Sequence, residues 1–378
     1  MAIAVDDAQP RGGGVIYANA AGTSWPKPPG VVSAAERAML AEPAANAELY
    51  RDGHAAVRRF FGIPEASAGR LLLAPSCTSA LAVALADLVW NEGDVVLTSS
   101  LEHHALARPV QKLVWERGVV HEQVPYRVDA PLDLAWVEQR LRAGAVRMIA
   151  VTGASNVTGE LLPVAELAAL ARAHGALLLL DAAQVAGVVP VDVAALGVDL
   201  LVFAGHKAML GPLGIGGLWA AEHVRFTCPT ATCEIGGDPA VGVRAPFPGF
   251  CDLGSVNFPA LAGLTAALRW HRQCDDEQRE RPRRLARHLL DACREREGCH
   301  VLGGDGPRTA TVSLLLDRVP LDQAQQHFRE HGVVVRAGTH CAPMALAALG
   351  RPDGCIRVSF GPHNVDEHVD AVLAAIDA

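Results

Sequence analysis

The sequence predicts an α/β fold: a large domain with a mainly parallel sheet sandwiched by helices, plus a smaller α+β C-terminal domain. Three observations predict it. From residue 70 short apolar runs alternate with helical stretches. Those runs are apolar throughout, as strands covered on both faces are. Beyond residue 258 the order changes to two long helical stretches and then shorter strands and helices.

Taken in order, residues 70–74 read as a strand, 78–90 as a helix with an apolar stripe, 94–98 as a strand and 103–117 as a helix. Strands follow at 119–124 and 146–151, with helices at 134–142 and 163–174, the latter with proline in its first turn. The run at 176–180 is almost purely apolar, and 199–203 and 215–219 resemble it. Residues 227–257, rich in Gly, Pro and Cys, read as a long irregular loop, a kind of segment that often serves function. Helices are expected at 259–273 and 276–297, a strand at 309–315, a helix at 321–331, strands at 333–336 and 356–360, and a last helix from 366. The expected division is a flexible leader at 1–15, a large domain at 16–258 whose first segment packs on the smaller one, and a small domain at 259–378.

Composition excludes several classes. The chain has 378 residues and a net charge of −8. Its pI near 6.0 argues against nucleic-acid binding. Mean hydropathy is +0.20, yet Asp181, Gln184, Asp192 and Asp199 interrupt the most apolar region, so no membrane span is expected. The leader MAIAVDDAQPRGGG lacks the basic start and apolar core of a signal peptide. The nine cysteines are odd in number and form no CxxC pair. Reduced thiols in the cytoplasm and no metal site are expected. Lysine occurs only at Lys27, Lys112 and Lys207, so lysine chemistry has three candidates.

The chemistry sits where strands end. Lys207, in FAGHKAMLGPLGIGG at 203–217, follows an apolar strand and precedes a glycine-rich turn. A lysine with a lowered pKa there forms Schiff bases. Asp181 ends the strand of LLLLDAAQ; it caps the next helix or faces a cationic ligand. Ser76, Cys77 and Thr78 lie at a strand-to-helix turn suited to phosphate. His103, in SLEHHA, can stack on a flat ring, and Asn156, in GASNVTGE, can bond a phenolic oxygen. Cys341 lies in a glycine-flanked loop with His340 and Arg336 near, basic neighbours that favour thiolate. Arg357, on the next strand, has the two-pronged guanidinium that suits a carboxylate.

With these motifs the chain resembles the class V aminotransferase-like, fold type I pyridoxal-phosphate enzymes. Within them it resembles the cysteine desulfurase and selenocysteine lyase branch. The likeness runs from IYANAAGTSWPKP at 16–28 to the last helix. It is most specific in VVVRAGTHCAPMA at 333–345 and IRVSFGPHN at 356–364. The compact Cys341 loop is similar to that of the type II desulfurases.

The resemblance implies pyridoxal 5′-phosphate as cofactor, bound to Lys207 as a Schiff base. Asp181 would pair with the pyridine nitrogen, and His103 would stack on the ring and serve as an acid. Asn156 and Gln184 would reach the phenolic oxygen. Thr78, His206 and the Cys77 backbone would hold the phosphate. Ser255, in LGSVN, would reach the phosphate of a neighbouring subunit in a homodimer. Arg357, with Arg336 and Asn156, would bind substrate. Cys341 would take sulfur from cysteine as a persulfide for an acceptor protein or small thiol, leaving alanine. Three positions depart from the family pattern: Ala204 stands where Ser or Thr is usual, Leu106 where Asn is usual, and Cys77 where Thr is common. Residues 46–54, NAELYRDGH, only loosely follow the usual substrate loop. A selenocysteine or other C–S lyase, a class V aminotransferase or epimerase, and a non-catalytic scaffold remain as alternatives.

Overall fold

The computed structural model describes residues 14–67, 69–128, 132–226, 252 and 254–378. Residues 1–13 of the expected leader and most of the expected loop at 227–257 lie outside these residues, as do Cys228, Cys233 and Cys251. The described chain opens with β1 (Ile16–Tyr17), α1 (Val31–Leu40) and α2 (Asn46–Phe60). There follow β2 (Arg70–Ala74), α3 (Cys77–Ala86), β3 (Val95–Ser99), α4 (His104–Arg117), β4 (Val120–Val124), α5 (Leu134–Arg142) and β5 (Val146–Thr152). Next come α6 (Val164–Ala173), β6 (Leu177–Asp181), α7 (Val193–Leu196), β7 (Leu200–Ala204) and β8 (Gly216–Ala220).

The larger sheet has the order β2-β8-β7-β6-β5-β3-β4. Only β8 runs against the others, between β2 and β7. Its strands are covered on both faces. Leu71, Leu73, Leu178 and Leu180 belong to one apolar cluster, and Leu72, Ala74, Leu177 and Leu179 to the other. That alternation explains why the strands read as unbroken apolar runs.

The next helix, α8 (Phe258–Gln273), packs with the first cluster of the large sheet through Ala260, Leu261, Leu264 and Leu268. The smaller part holds α9 (Asp276–Arg294), β9 (Cys299–Val301), β10 (Thr311–Leu316), α10 (Ala324–Glu330), β11 (Val333–Val334), β12 (Arg336–Gly338), α11 (Pro343–Ala348), β13 (Cys355–Ser359) and α12 (Asp366–Asp377). Its antiparallel sheet has the order β12-β13-β10-β9. Val312, Leu314, Ile356 and Val358 pack with Leu285, Leu289, Phe328 and Val372 in a separate cluster. β1 pairs in parallel with β11.

Several elements differ from expectation. Helix α3 ends at Ala86 rather than at residue 90, because the Trp90 indole N–H donates to the Leu85 carbonyl at 2.6 Å and the chain turns there. The stretch at 46–54, which only loosely follows the family's substrate loop, opens helix α2. Gly53 lets that helix press on α8: a Cβ there would stand 2.5 Å from Leu261 Cδ1. The run at 333–336 is two strands in two sheets, since Val333 and Val334 pair with β1 while Arg336 pairs with Arg357.

Candidate active site

Parallel strands put their carboxyl ends on one edge, where crossover loops leave room for a ligand. β2 delivers Cys77 and Thr78, β3 His103, β5 Asn156, β6 Asp181 and Gln184, and β7 His206 and Lys207. All of them line one cleft of about 820 Å³. Arg336, His340, Cys341 and Arg357 close it from the smaller sheet. The structure therefore brings together every residue singled out from the sequence except Ser255, which is exposed and does not line the cleft of its own chain.

Local geometry explains several placements. The Ser76 hydroxyl accepts from the Ser79 N–H at 3.1 Å and caps α3. Exposed Thr78 is thereby left in the first turn of the helix. His103 caps α4, its Nδ1 accepting from the Ala105 N–H at 3.0 Å. The proton of the neutral ring is therefore on Nε2. Asp181 is buried at the floor, where Oδ1 accepts from the Ala183 N–H at 2.9 Å and from the Cys77 thiol at 3.4 Å. Gln184 Nε2 donates to the Ala21 carbonyl at 3.2 Å. His206 Nδ1 lies 3.1 Å from the Thr23 hydroxyl.

Burial sets the electrostatics. It lowers the Lys207 pKa, against the opposing pull of Asp181. It raises the Asp181 carboxyl and pushes the Cys77 thiol well up, with Asp181 adding to the effect. Burial, aided by Lys207, brings His103 to about 4 and His206 to about 4. His340 falls to about 3 through burial and then Arg357. This corrects one expectation: His340 is neutral at pH 7, with Nε2 2.9 Å from the Cys355 carbonyl. Arg357 and Lys207 are two cations within electrostatic reach of Cys341.

The Cys341 loop is held by its backbone. His340 and Cys341 both adopt left-handed conformations, φ 51° and 55°, uncommon for residues with a Cβ. Asn156 Nδ2 donates to the His340 carbonyl at 2.8 Å. Buried Arg357 donates to the Asn156 carbonyl at 2.9 Å and to Asn19 Oδ1 at 3.1 Å. Its Nε and Asn156 Oδ1 have no hydrogen-bond partner among the described residues.

Sequence reasoning missed Glu102 and Asn19. Glu102 is fully buried, accepts from the Ser99 hydroxyl, and accepts from the Thr152 N–H at 2.8 Å. The signal was an acid inside the motif that supplied His103. Asn19 lies in the IYANAAG stretch that carries the family likeness.

The fold is that of the class-V aminotransferase family. The pattern of the Aminotransferase class-V family matches residues 30–372, and the chain belongs to that family. Its relatives carry a narrower name. The chain is 33% identical over 367 residues to the cysteine desulfurase of Klebsiella pneumoniae subsp. pneumoniae, with 88% of each chain covered. The apo structure of a cysteine desulfurase from Thermococcus onnurineus NA1 superposes with a TM-score of 0.87 at 26% identity, covering 96% of this chain and 94% of that one. A variant of C-DES with glycine covalently linked to its PLP cofactor shares the fold, at TM-score 0.79 and 22% identity over 96% of each chain.

Among the described residues no helix is long and apolar enough to cross a membrane. None of them form a cluster of three or more His, Cys, Asp or Glu side chains able to hold a metal ion.

Proposed function

We propose that the chain is a pyridoxal-phosphate-dependent cysteine desulfurase with Cys341 as its sulfur acceptor. The observation that carries this reading is exposed Cys341 on the same cleft as Lys207 and Asp181.

The residues present fit the cofactor. Burial raises Asp181, so a cationic partner stabilises its charged form, and a protonated pyridine nitrogen is such a partner. The start of α3 offers backbone N–H groups and the Thr78 hydroxyl to a phosphate, with His206 alongside. The unpartnered Asn156 Oδ1 and Arg357 Nε suit polar groups of a ligand.

Bound pyridoxal 5′-phosphate supplies an electron sink for the charge left when the substrate's Cα proton departs. Lys207 would hold the cofactor, and its free amine would carry that proton; its lowered pKa raises the fraction of free amine at neutral pH. Asp181 would favour the protonated form of the ring nitrogen. Neutral His103 presents Nε2–H over the cleft. Arg357 takes the substrate carboxylate, fixed in direction by Asn19 and the Asn156 carbonyl, with Arg336 at the entrance. The Cys341 thiolate attacks the substrate sulfur; an S–S bond forms as the C–S bond breaks, and protonation of the carbon fragment yields alanine. The persulfide passes to an acceptor protein or small thiol. The working unit is a homodimer in which Ser255 reaches the phosphate of the second copy, and it acts in the cytoplasm, where thiols stay reduced.

Mass spectrometry after incubation with cysteine tests the reading. Sulfur should appear on Cys341 and alanine in solution. Cys341→Ala should form no persulfide while keeping the yellow cofactor. A Cys341→Ala protein that turns over cysteine at the wild-type rate would point instead to a lyase that needs no thiol.

A further inference from the structure

The turn that carries Lys207 makes few bonds of its own. The Gly211 N–H donates to the Gly205 carbonyl at 2.8 Å and the Leu210 N–H to the Lys207 carbonyl at 2.8 Å, with Leu210 left-handed at φ 66°. Further restraint comes from His271, whose Nε2 lies 2.8 Å from the Ala208 carbonyl, and from residues 23–27, which alone reach both ends of the turn. The Ser24 N–H and hydroxyl donate to the His206 carbonyl at 3.0 and 2.9 Å. Lys27 Nζ lies 2.6 Å from the Gly211 carbonyl, 3.3 Å from the His206 carbonyl and 2.7 Å from the Ser24 hydroxyl. One ammonium thus bridges the carbonyl just before Lys207 and the carbonyl that closes the turn.

All three acceptors are uncharged oxygens. A lysine that merely packs its stem keeps its ammonium in water. Half-buried Lys27 instead turns its ammonium onto these oxygens with no carboxylate partner among the described residues, an unfavourable arrangement unless its hydrogen bonds hold something in place. What they hold are the two ends of the Lys207 turn.

We infer that Lys27 is a positioning residue for Lys207: its ammonium clasps the 206–211 turn and fixes where the Lys207 amine stands over the sheet edge. This rests on the reading of Lys207 as cofactor anchor and proton carrier. Lys27 does not line the cleft, so it acts through the turn. Proton transfer by Lys207 is the step that depends on the clasp, whereas substrate binding depends on Arg357 across the cleft.

The scarcity of lysine makes the test direct. In the full-length chain before cofactor is added, reductive methylation followed across pH by peptide mass spectrometry reports Lys27, Lys112 and Lys207 separately. Lys112, exposed beside Glu116 at 3.8 Å, is the internal control. In Lys27→Met the labelling midpoint of Lys207 should rise toward that of an ordinary lysine, since the turn opens to water and relieves the burial that lowers it. Lys112 should not change, and Lys27→Arg should lie closer to wild type. In the loaded enzyme, kcat of Lys27→Met for cysteine should fall roughly tenfold with KM within about twofold. A folded Lys27→Met protein with an unchanged Lys207 midpoint and unchanged kcat overturns the inference, even if its thermal stability is lower. If the wild-type chain takes up no cofactor, the functional reading fails, while a shifted Lys207 midpoint in Lys27→Met still upholds the clasp.

Discussion

The backbone N–H of His104 donates a 2.8 Å hydrogen bond to the carbonyl of Cys341. His104 is the first residue of α4 and follows His103. A helix start has N–H groups without intrahelical partners, and here one of them docks the loop that carries the thiol. The ring-stacking candidate and the nucleophile candidate are thus tied by main chain rather than side chains.

This predicts an unusual variant. Proline is tolerated at the first helical position, and the extended His103 (φ −74°, ψ 152°) suits a residue preceding proline. His104→Pro should therefore fold and take up cofactor normally yet lose the bond to Cys341. Persulfide formation should slow by roughly tenfold, read by single-turnover mass spectrometry. A wild-type rate would show that the loop needs no such anchor.

Arg357→Lys should raise KM for cysteine by roughly tenfold or more, because an ammonium cannot hold Asn156 and Asn19 and also present a fork to a carboxylate. Burial and Arg336 already draw Arg357 down to about 10, still charged at pH 7. Steady-state kinetics with cysteine would check it; an unchanged KM would remove Arg357 from the substrate site.

Gly53→Val should destabilise the fold by about 1–3 kcal/mol through overpacking. The added atoms would meet Leu261 at the contact between α2 and α8. Denaturant unfolding is the measurement, and a neutral result would mean the two helices separate without loss.

Why some features were legible and others not follows from the residues. Asp181, His103, Asn156 and Lys207 could be assembled from sequence because each ends a strand buried on both faces, and parallel order sends those ends to one edge. Cys341 and Arg357 needed the family resemblance, since nothing local shows that the smaller sheet closes the cleft. The partners of Arg357 lie far off in the chain, Asn19 on one side and Asn156 on the other. Sequence alone left Lys27 as one of three lysine candidates, because two of its three acceptors are carbonyls of a distant turn. Helices α1 and α2 went unassigned. Their burial is thin: α1 buries Val31, and α2 buries Gly53 and Val57, too few positions to show a helical period.

Glu102 yields the sharpest pH prediction. Full burial raises its pKa to about 8, with the charge of Asp181 adding and the bonds from Ser99 and Thr152 opposing. Between the ordinary carboxyl value of 4.5 and about 8 the folded chain keeps a proton that the unfolded chain has lost. Stability from this group is therefore full below 4.5 and lost as pH rises to about 8. Glutamine matches the protonated carboxyl: its oxygen can accept from the Thr152 N–H and its amide can donate to the Ser99 hydroxyl, without ionising. Glu102→Gln should be more stable than wild type by only about 1.4 kcal/mol at pH 5.5, one unit above the ordinary carboxyl value. Its advantage should grow by roughly a further 3 kcal/mol by pH 8.5, at about 1.4 kcal/mol per pH unit until about pH 8. Glu102→Ala leaves the Thr152 N–H unsatisfied and should be less stable by about 1–3 kcal/mol from that loss alone. Unfolding curves of wild type and Glu102→Gln at both pH values decide the matter, because a constant difference would mean that Glu102 is ionised in the folded protein and its burial is compensated.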